Sequence, residues 1–140
     1  MDDIFSTLKN MLKPYEPDFQ VKRDAADNYY LETVKADGTP EMVQVSTHTA
    51  MAELLLSGCT TAADHHYLFP QGLDNAIDVQ VEAVRGLGMR AMLTRGSMSL
   101  GQADGGLPPQ QTVQQGEVIL ADSQRLIHEY HQRGDGAQIQ

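Results

Sequence analysis

SGCTTAADHHYLFPQGLDNAIDVQVEAVRGLGMRAMLTRGSM, residues 57–98, decides the fold class. It opens on Cys59-Thr-Thr-Ala-Ala63, a short run of small, β-compatible residues, and Asp64-His65-His66-Tyr67 follows where a strand would end. Leu73 to Leu87 then carries apolar residues at helical spacing and is punctuated by Gly86 and Gly88. Met89 to Thr94 is a second strand candidate. Upstream, from about Ser46 to Ser57, Ala50, Met51, Leu54 and Leu55 fall on one helical face, with Gly58 placed as a C-terminal cap. The order helix, strand, helix, strand predicts parallel βα units and an α/β fold.

Working outward, Arg95 to Thr112 reads as a long loop punctuated by Gly96, Gly101, Gly105, Gly106, Pro108 and Pro109. Loops of that length are more often functional than merely connecting. Val113 to His131 is expected to be a helix with Val118, Ile119, Leu126 and Ile127 on or near its buried stripe, and Ala137 to Gln140 reads as the start of a further strand. At the other end, Asp2 to Leu12 has helical periodicity stopped by Pro14 and Pro17. Phe19–Arg23 and Tyr29–Val34 suit a hairpin across Asp24-Ala-Ala-Asp-Asn28, and Asp37-Gly38-Thr39-Pro40 breaks the pattern. Two segments are therefore expected, 1–44 (helix plus β-hairpin) and 45–140 (βα units).

Composition narrows the partners. The chain has 140 residues, 41% hydrophobic and 21% charged, a size and balance that suit a globular core. A net charge of −9 repels a phosphate backbone, so no nucleic-acid partner is expected. No long apolar run and no basic leader is present, which predicts no membrane partner and a cytoplasmic location. Cys59 is the single cysteine, which excludes an internal disulfide framework and a Cys-rich zinc site.

Three pieces, SGCTTAADHH, GLGMRAMLTRGSM and the DGGLPP loop, resemble the amidohydrolase superfamily, specifically its 8-oxoguanine deaminase and hydroxydechloroatrazine ethylaminohydrolase branch. The resemblance runs from about residue 45 to residue 140. It implies part of a metal-dependent (β/α) barrel, a purine or triazine as ligand, and hydrolytic removal of an exocyclic amine as ammonia. A complete barrel of this kind takes on the order of 250 residues. Family members hold zinc or iron through a His-x-His pair and ligands on later strands. The histidines here are His48, His65, His66, His128 and His131, and no two are separated by one residue. The resemblance thus implies a fragment without metal or other cofactor in this chain and inactive alone. The alternative is a non-catalytic binding or self-association module arising from a gene-fragment fusion, with a second copy of the chain as partner. DNYYLETVKADGTPEM, residues 27–42, is similar to a small iron-chaperone-like α+β family, which places a junction near Met42 to Ser46.

By resemblance, Asp64, His65, His66 and Arg95 are the substrate-binding residues. Imidazole or carboxylate at a strand end can hydrogen-bond a heterocycle, and a guanidinium can grip a carbonyl by two bonds. Against this, neighbouring strand residues point to opposite faces, so at most one histidine faces a given pocket, and Arg95 reads equally well as a loop brace. Some relatives carry a second arginine where Leu107 stands. His128 and His131 read as solvent-facing, Cys59 as packing, and the DGG glycines do not make a nucleotide-binding GxGxxG.

Overall fold

The computed structural model describes the strands Phe19–Arg23 and Tyr29–Thr33 and residues 38–140. The chain divides into two units, Met1–Asp37 and Gly38–Gln140. In the first, β1 (Phe19–Arg23) pairs antiparallel with β2 (Tyr29–Thr33), with Val21 opposite Leu31. This is the hairpin the sequence predicts. Its turn and the helix expected over Asp2–Leu12 lie outside the described residues.

The second unit opens with α1 (Pro40–Leu56). The sequence places its start near Ser46, and the correction has a clear cause. Thr39-Pro40 caps the helix: Thr39 is extended, its Oγ1 accepts from Met42 N–H at 3.3 Å, and Pro40 sits where its missing N–H costs nothing. The division between Asp37 and Gly38 fits this start, whereas a boundary at 44/45 falls inside the helix. The buried face also differs from the one expected: Met42, Val45, Thr47 and Met51 are buried, while Ala50 and Leu54 are exposed. Thr39→Ala should cost about 1 kcal/mol of stability, read as a lower urea midpoint.

Next come β3 (Thr61–His66), α2 (Ala76–Leu87), β4 (Arg90–Arg95) and α3 (Gly116–Tyr130). β3 and β4 are parallel, with Thr61 opposite Arg90 and His66 opposite Arg95. So β3 does not end at Ala63: the ladder to β4 carries it through Asp64, His65 and His66. α2 starts at Ala76 rather than Leu73, because Leu73 lies in a turn closed by its N–H on Pro70 O at 2.9 Å. It ends at Gly88, whose φ of 69° is left-handed, a conformation glycine adopts without penalty. Ala91 bridges Ile139 in the parallel sense, so the strand start read at Ala137–Gln140 is realised as a third position in the sheet.

The core lies between one face of this sheet and the helices. Ala62 and Ala91 face Ile77, Val81 and Val84 of α2, joined by Leu73, Phe69, Met89 and Met51. α3 contributes one buried side chain, Leu126, while Val118 and Ile127 are exposed, contrary to the stripe expected for them. Ion pairs hold α3 instead. Asp78 on α2 receives two bonds of 2.7 Å from Arg125 and one of 2.7 Å from Tyr130 Oη.

Candidate functional site

The strand ends of β3 and β4 bring the four sequence-predicted residues close together but on two faces. Pleating turns alternate residues to opposite sides. Asp64, His66 and Arg95 share the helix-covered face with Ala62, Ala91 and Leu93, whereas His65 stands with Thr61, Ala63, Met92 and Thr94 on the uncovered face.

Each residue on the covered face is already engaged. Asp64 Oδ2 accepts from Gln80 Nε2 at 2.7 Å. His66 Nε2 lies 2.8 Å from Leu68 O, which makes it the donor, and its ring meets Phe69 edge-on at 5.1 Å. Burial lowers the His66 pKa despite the opposing Leu68 carbonyl and Asp64, with Arg95 adding to the fall, so the neutral ring is favoured. Arg95, with a side chain only 5% exposed, is the hub. Its Nε donates to Asp122 Oδ2 at 3.0 Å, Nη1 to Gly96 O at 2.7 Å and Nη2 to Gln114 Oε1 at 2.6 Å, and its guanidinium stacks 4.1 Å from the Phe69 ring centre. Such an arginine ties β4, the following loop and α3 together.

His65 differs. It is exposed, its ring meets Tyr67 edge-on at 6.0 Å, and its nitrogens make no protein hydrogen bond among the described residues. Gly96 is what lets the next loop pass it: a Cβ there would stand 2.7 Å from both His65 Nε2 and Tyr67 Cβ. Gly96→Ala should displace the His65 ring and cost about 1 kcal/mol, measurable as a shift of the imidazole NMR signals and of the urea midpoint.

The loop after β4 is folded tightly. It contains 3₁₀ turns at Gln102–Asp104 and Gln110–Thr112, Gly101 O accepts from both Asp104 N–H and Gly106 N–H, and a Cβ on Gly106 would collide with the Leu100 carbonyl. At its tip Leu107 is 91% exposed.

Three residues that the sequence reading did not single out complete the cluster: Asp122, Phe69 and Gln80. Gln80 is 5% exposed and its Oε1 has no partner. Its signal was available, a polar residue within the apolar spacing Ile77, Val81, Val84. Among the described residues no three His, Cys, Asp or Glu side chains are grouped to hold a metal ion. His128 and His131 are exposed, and Cys59 is half-buried with its Sγ 3.0 Å from Thr61 O. No described helix is long and apolar enough to cross a membrane.

Parallel βα units carrying a polar cluster at their strand ends are the architecture of barrel hydrolases, and the comparisons with known proteins agree. No family model matches the chain. The chain is 74% identical over 102 residues to 8-oxoguanine deaminase of Pseudomonas aeruginosa, covering 73% of this chain and 23% of that protein. It is 38% identical over 87 residues to hydroxydechloroatrazine ethylaminohydrolase of Pseudomonas sp. strain ADP, covering 61% and 18%. A crystal structure of a mutant atrazine chlorohydrolase from Arthrobacter aurescens TC1, complexed with zinc and atraton, superposes with a TM-score of 0.68 at 31% identity over 73% of this chain and 23% of that one. The matched part of the chain belongs to the amidohydrolase superfamily, as a segment related to 8-oxoguanine deaminase and the triazine hydrolases. The chain spans about a quarter or less of the length of the curated relatives it matches.

Proposed function

We propose that this chain is the strand-end scaffold of a hydrolytic deaminase of purine- or triazine-type heterocycles and does not turn over substrate alone. The 74% identity to 8-oxoguanine deaminase is the observation that carries the reading. The match covers 73% of the chain, which fits the size of the unit Gly38–Gln140 and supports reading that unit as a run of (β/α) barrel units. The N-terminal residues we read as a separate segment joined to it, in a cytoplasmic protein.

Zinc accompanies the triazine-hydrolase structure, but the described side chains here do not fit a zinc site. What the chain supplies is positioning. Of the four strand-end residues, His65 is the one free to meet a heterocycle, by hydrogen bond or ring stacking. Asp64, His66 and Arg95 act behind it, fixing the strand ends and the loop that starts at Gly96. Protein purified without chelator should hold no stoichiometric zinc and release no ammonia from 8-oxoguanine when zinc is added. Zinc-dependent turnover by the isolated chain would overturn the proposal.

A further inference from the structure

The sequence holds three Asp-Gly pairs, Asp37-Gly38, Asp104-Gly105 and Asp135-Gly136, the first of which begins outside the described residues. In such a pair the glycine nitrogen can reach the aspartate Cγ and close a ring, because no Cβ hinders the approach, and the closure consumes the glycine N–H. The fold treats the two described pairs differently. Asp104 belongs to the 3₁₀ turn Gln102–Asp104, and Gly105 N–H donates to Gln102 O at 3.3 Å. Its neighbours are pinned as well: Asp104 N–H and Gly106 N–H both donate to Gly101 O, at 3.0 and 2.8 Å. Asp135 and Gly136 are the central residues of a turn closed by Ala137 N–H on Gly134 O at 3.2 Å. Inside that turn Gly136 N–H donates to no group among the described residues, and Asp135 is exposed. Gly134 and Gly136 are both left-handed, at φ of 92° and 88°, and a Cβ on either would meet nothing within 4 Å.

We propose that Asp135 is a site of spontaneous modification to isoaspartate, selected over Asp104 by the free N–H of Gly136. The proposal does not rest on the family reading. The Gly136 nitrogen attacks Cγ of the protonated Asp135 carboxyl. An N–Cγ bond forms, a Cγ–O bond breaks, and the N–H and carboxyl protons leave with that oxygen as water. Water then adds to one of the two ring carbonyls and breaks its bond to nitrogen. Opening at Cγ restores aspartate; opening at the main-chain carbonyl leaves the chain running through Cβ and Cγ. The net change is an isomerisation, with no atom gained or lost and nothing oxidised or reduced. At Asp104 the same closure must first give up the bond from Gly105 to Gln102 O. At Asp135 no bond stands in the way. The product adds one main-chain carbon to a turn that lies between Gln132, whose Oε1 accepts from Gln138 N–H at 2.7 Å, and Gln138, whose carbonyl accepts from Ala91 N–H of β4 at 2.8 Å. Modification therefore acts on the segment held against β4.

The test is an ageing experiment. The folded chain is kept for weeks at mildly acidic pH and body temperature, digested, and mapped by electron-transfer fragmentation, which tells the two linkages apart at equal mass. Isoaspartate is expected to accumulate at 135 at least about fivefold faster than at 104, the factor that one net backbone hydrogen bond is worth. The same incubation in urea should bring the two rates together, because the bonds that separate the sites are then gone. In the folded Asp135→Asn variant the same ring should form with ammonia rather than water leaving, and open to the same pair of products. Absence of isoaspartate at 135, equal or faster formation at 104, a preference that survives in urea, or an Asp135→Asn variant that yields aspartate alone overturns the proposal.

Discussion

Replacing Arg95 with alanine is expected to lower the stability of the Gly38–Gln140 unit by about 3 to 5 kcal/mol, the cost of removing one partner from a buried ion pair. Asp122, 15% exposed, would lose its more deeply buried cation and keep only the bonds from Arg125 at 2.9 and 3.2 Å. Gln114 would lose its donor, and the Phe69 face would lose the guanidinium stacked on it. Arg95→Lys should recover little, because one ammonium cannot reach Asp122, Gly96 O and Gln114 from three directions as a planar fork does. Chemical denaturation followed by circular dichroism measures both variants. If Arg95→Ala melts like the parent, the residue is no brace, and its reading as a ligand-gripping group on a mobile strand end regains ground.

That result also bears on how far the site could be read from the chain. The βα order was legible because Gly58, Gly86 and Gly88 punctuate apolar runs of helical spacing, and small residues precede Asp64. The split between His65 and His66 was legible too, since period two alone sends them to opposite faces. Which face the helices cover was not, nor that Arg95 would find Asp122, which lies on a different element. Ion pairs between distant residues leave no mark in local periodicity. The start of α1 was misjudged for the opposite reason: Thr39-Pro40 resembles a turn, and the same two residues cap a helix when apolar spacing follows, as Met42 and Val45 provide. On α3, Val118 and Ile127 carry the pattern of a buried stripe yet face solvent, a mismatch between pattern and burial at one helix face.

Asp78→Ala is expected to cost about 2 kcal/mol, within the range for hydrogen bonds to charged groups and below the Arg95 effect because the Asp78–Arg125 pair is partly open to solvent. One carboxylate joins two helices here, accepting from Arg125 Nη1 and Nη2 and from Tyr130 Oη. Because Leu126 is the one buried side chain of α3, these bonds carry an unusual share of its attachment to α2. Burial pushes the Asp78 carboxyl up, but the Arg125 and Tyr130 hydrogen bonds outweigh it and hold the pKa below the ordinary aspartate value. A depressed folded pKa gives a contribution that is complete above the unfolded value, near 4, and is lost as pH falls through the folded one. At the alkaline end the signs reverse. The bond to Asp78, reinforced by burial and the charges of Asp78 and Glu129, raises the Tyr130 phenol above its ordinary value, so its contribution holds below about pH 10 and fades above it. The parent should therefore lose stability relative to Asp78→Ala at both extremes, and the two melting curves should converge as pH falls through the depressed Asp78 value and narrow above about pH 10. Thermal melts of the pair across that range decide the matter. A gap that stays constant with pH would show that Asp78 holds α3 by packing rather than by charge.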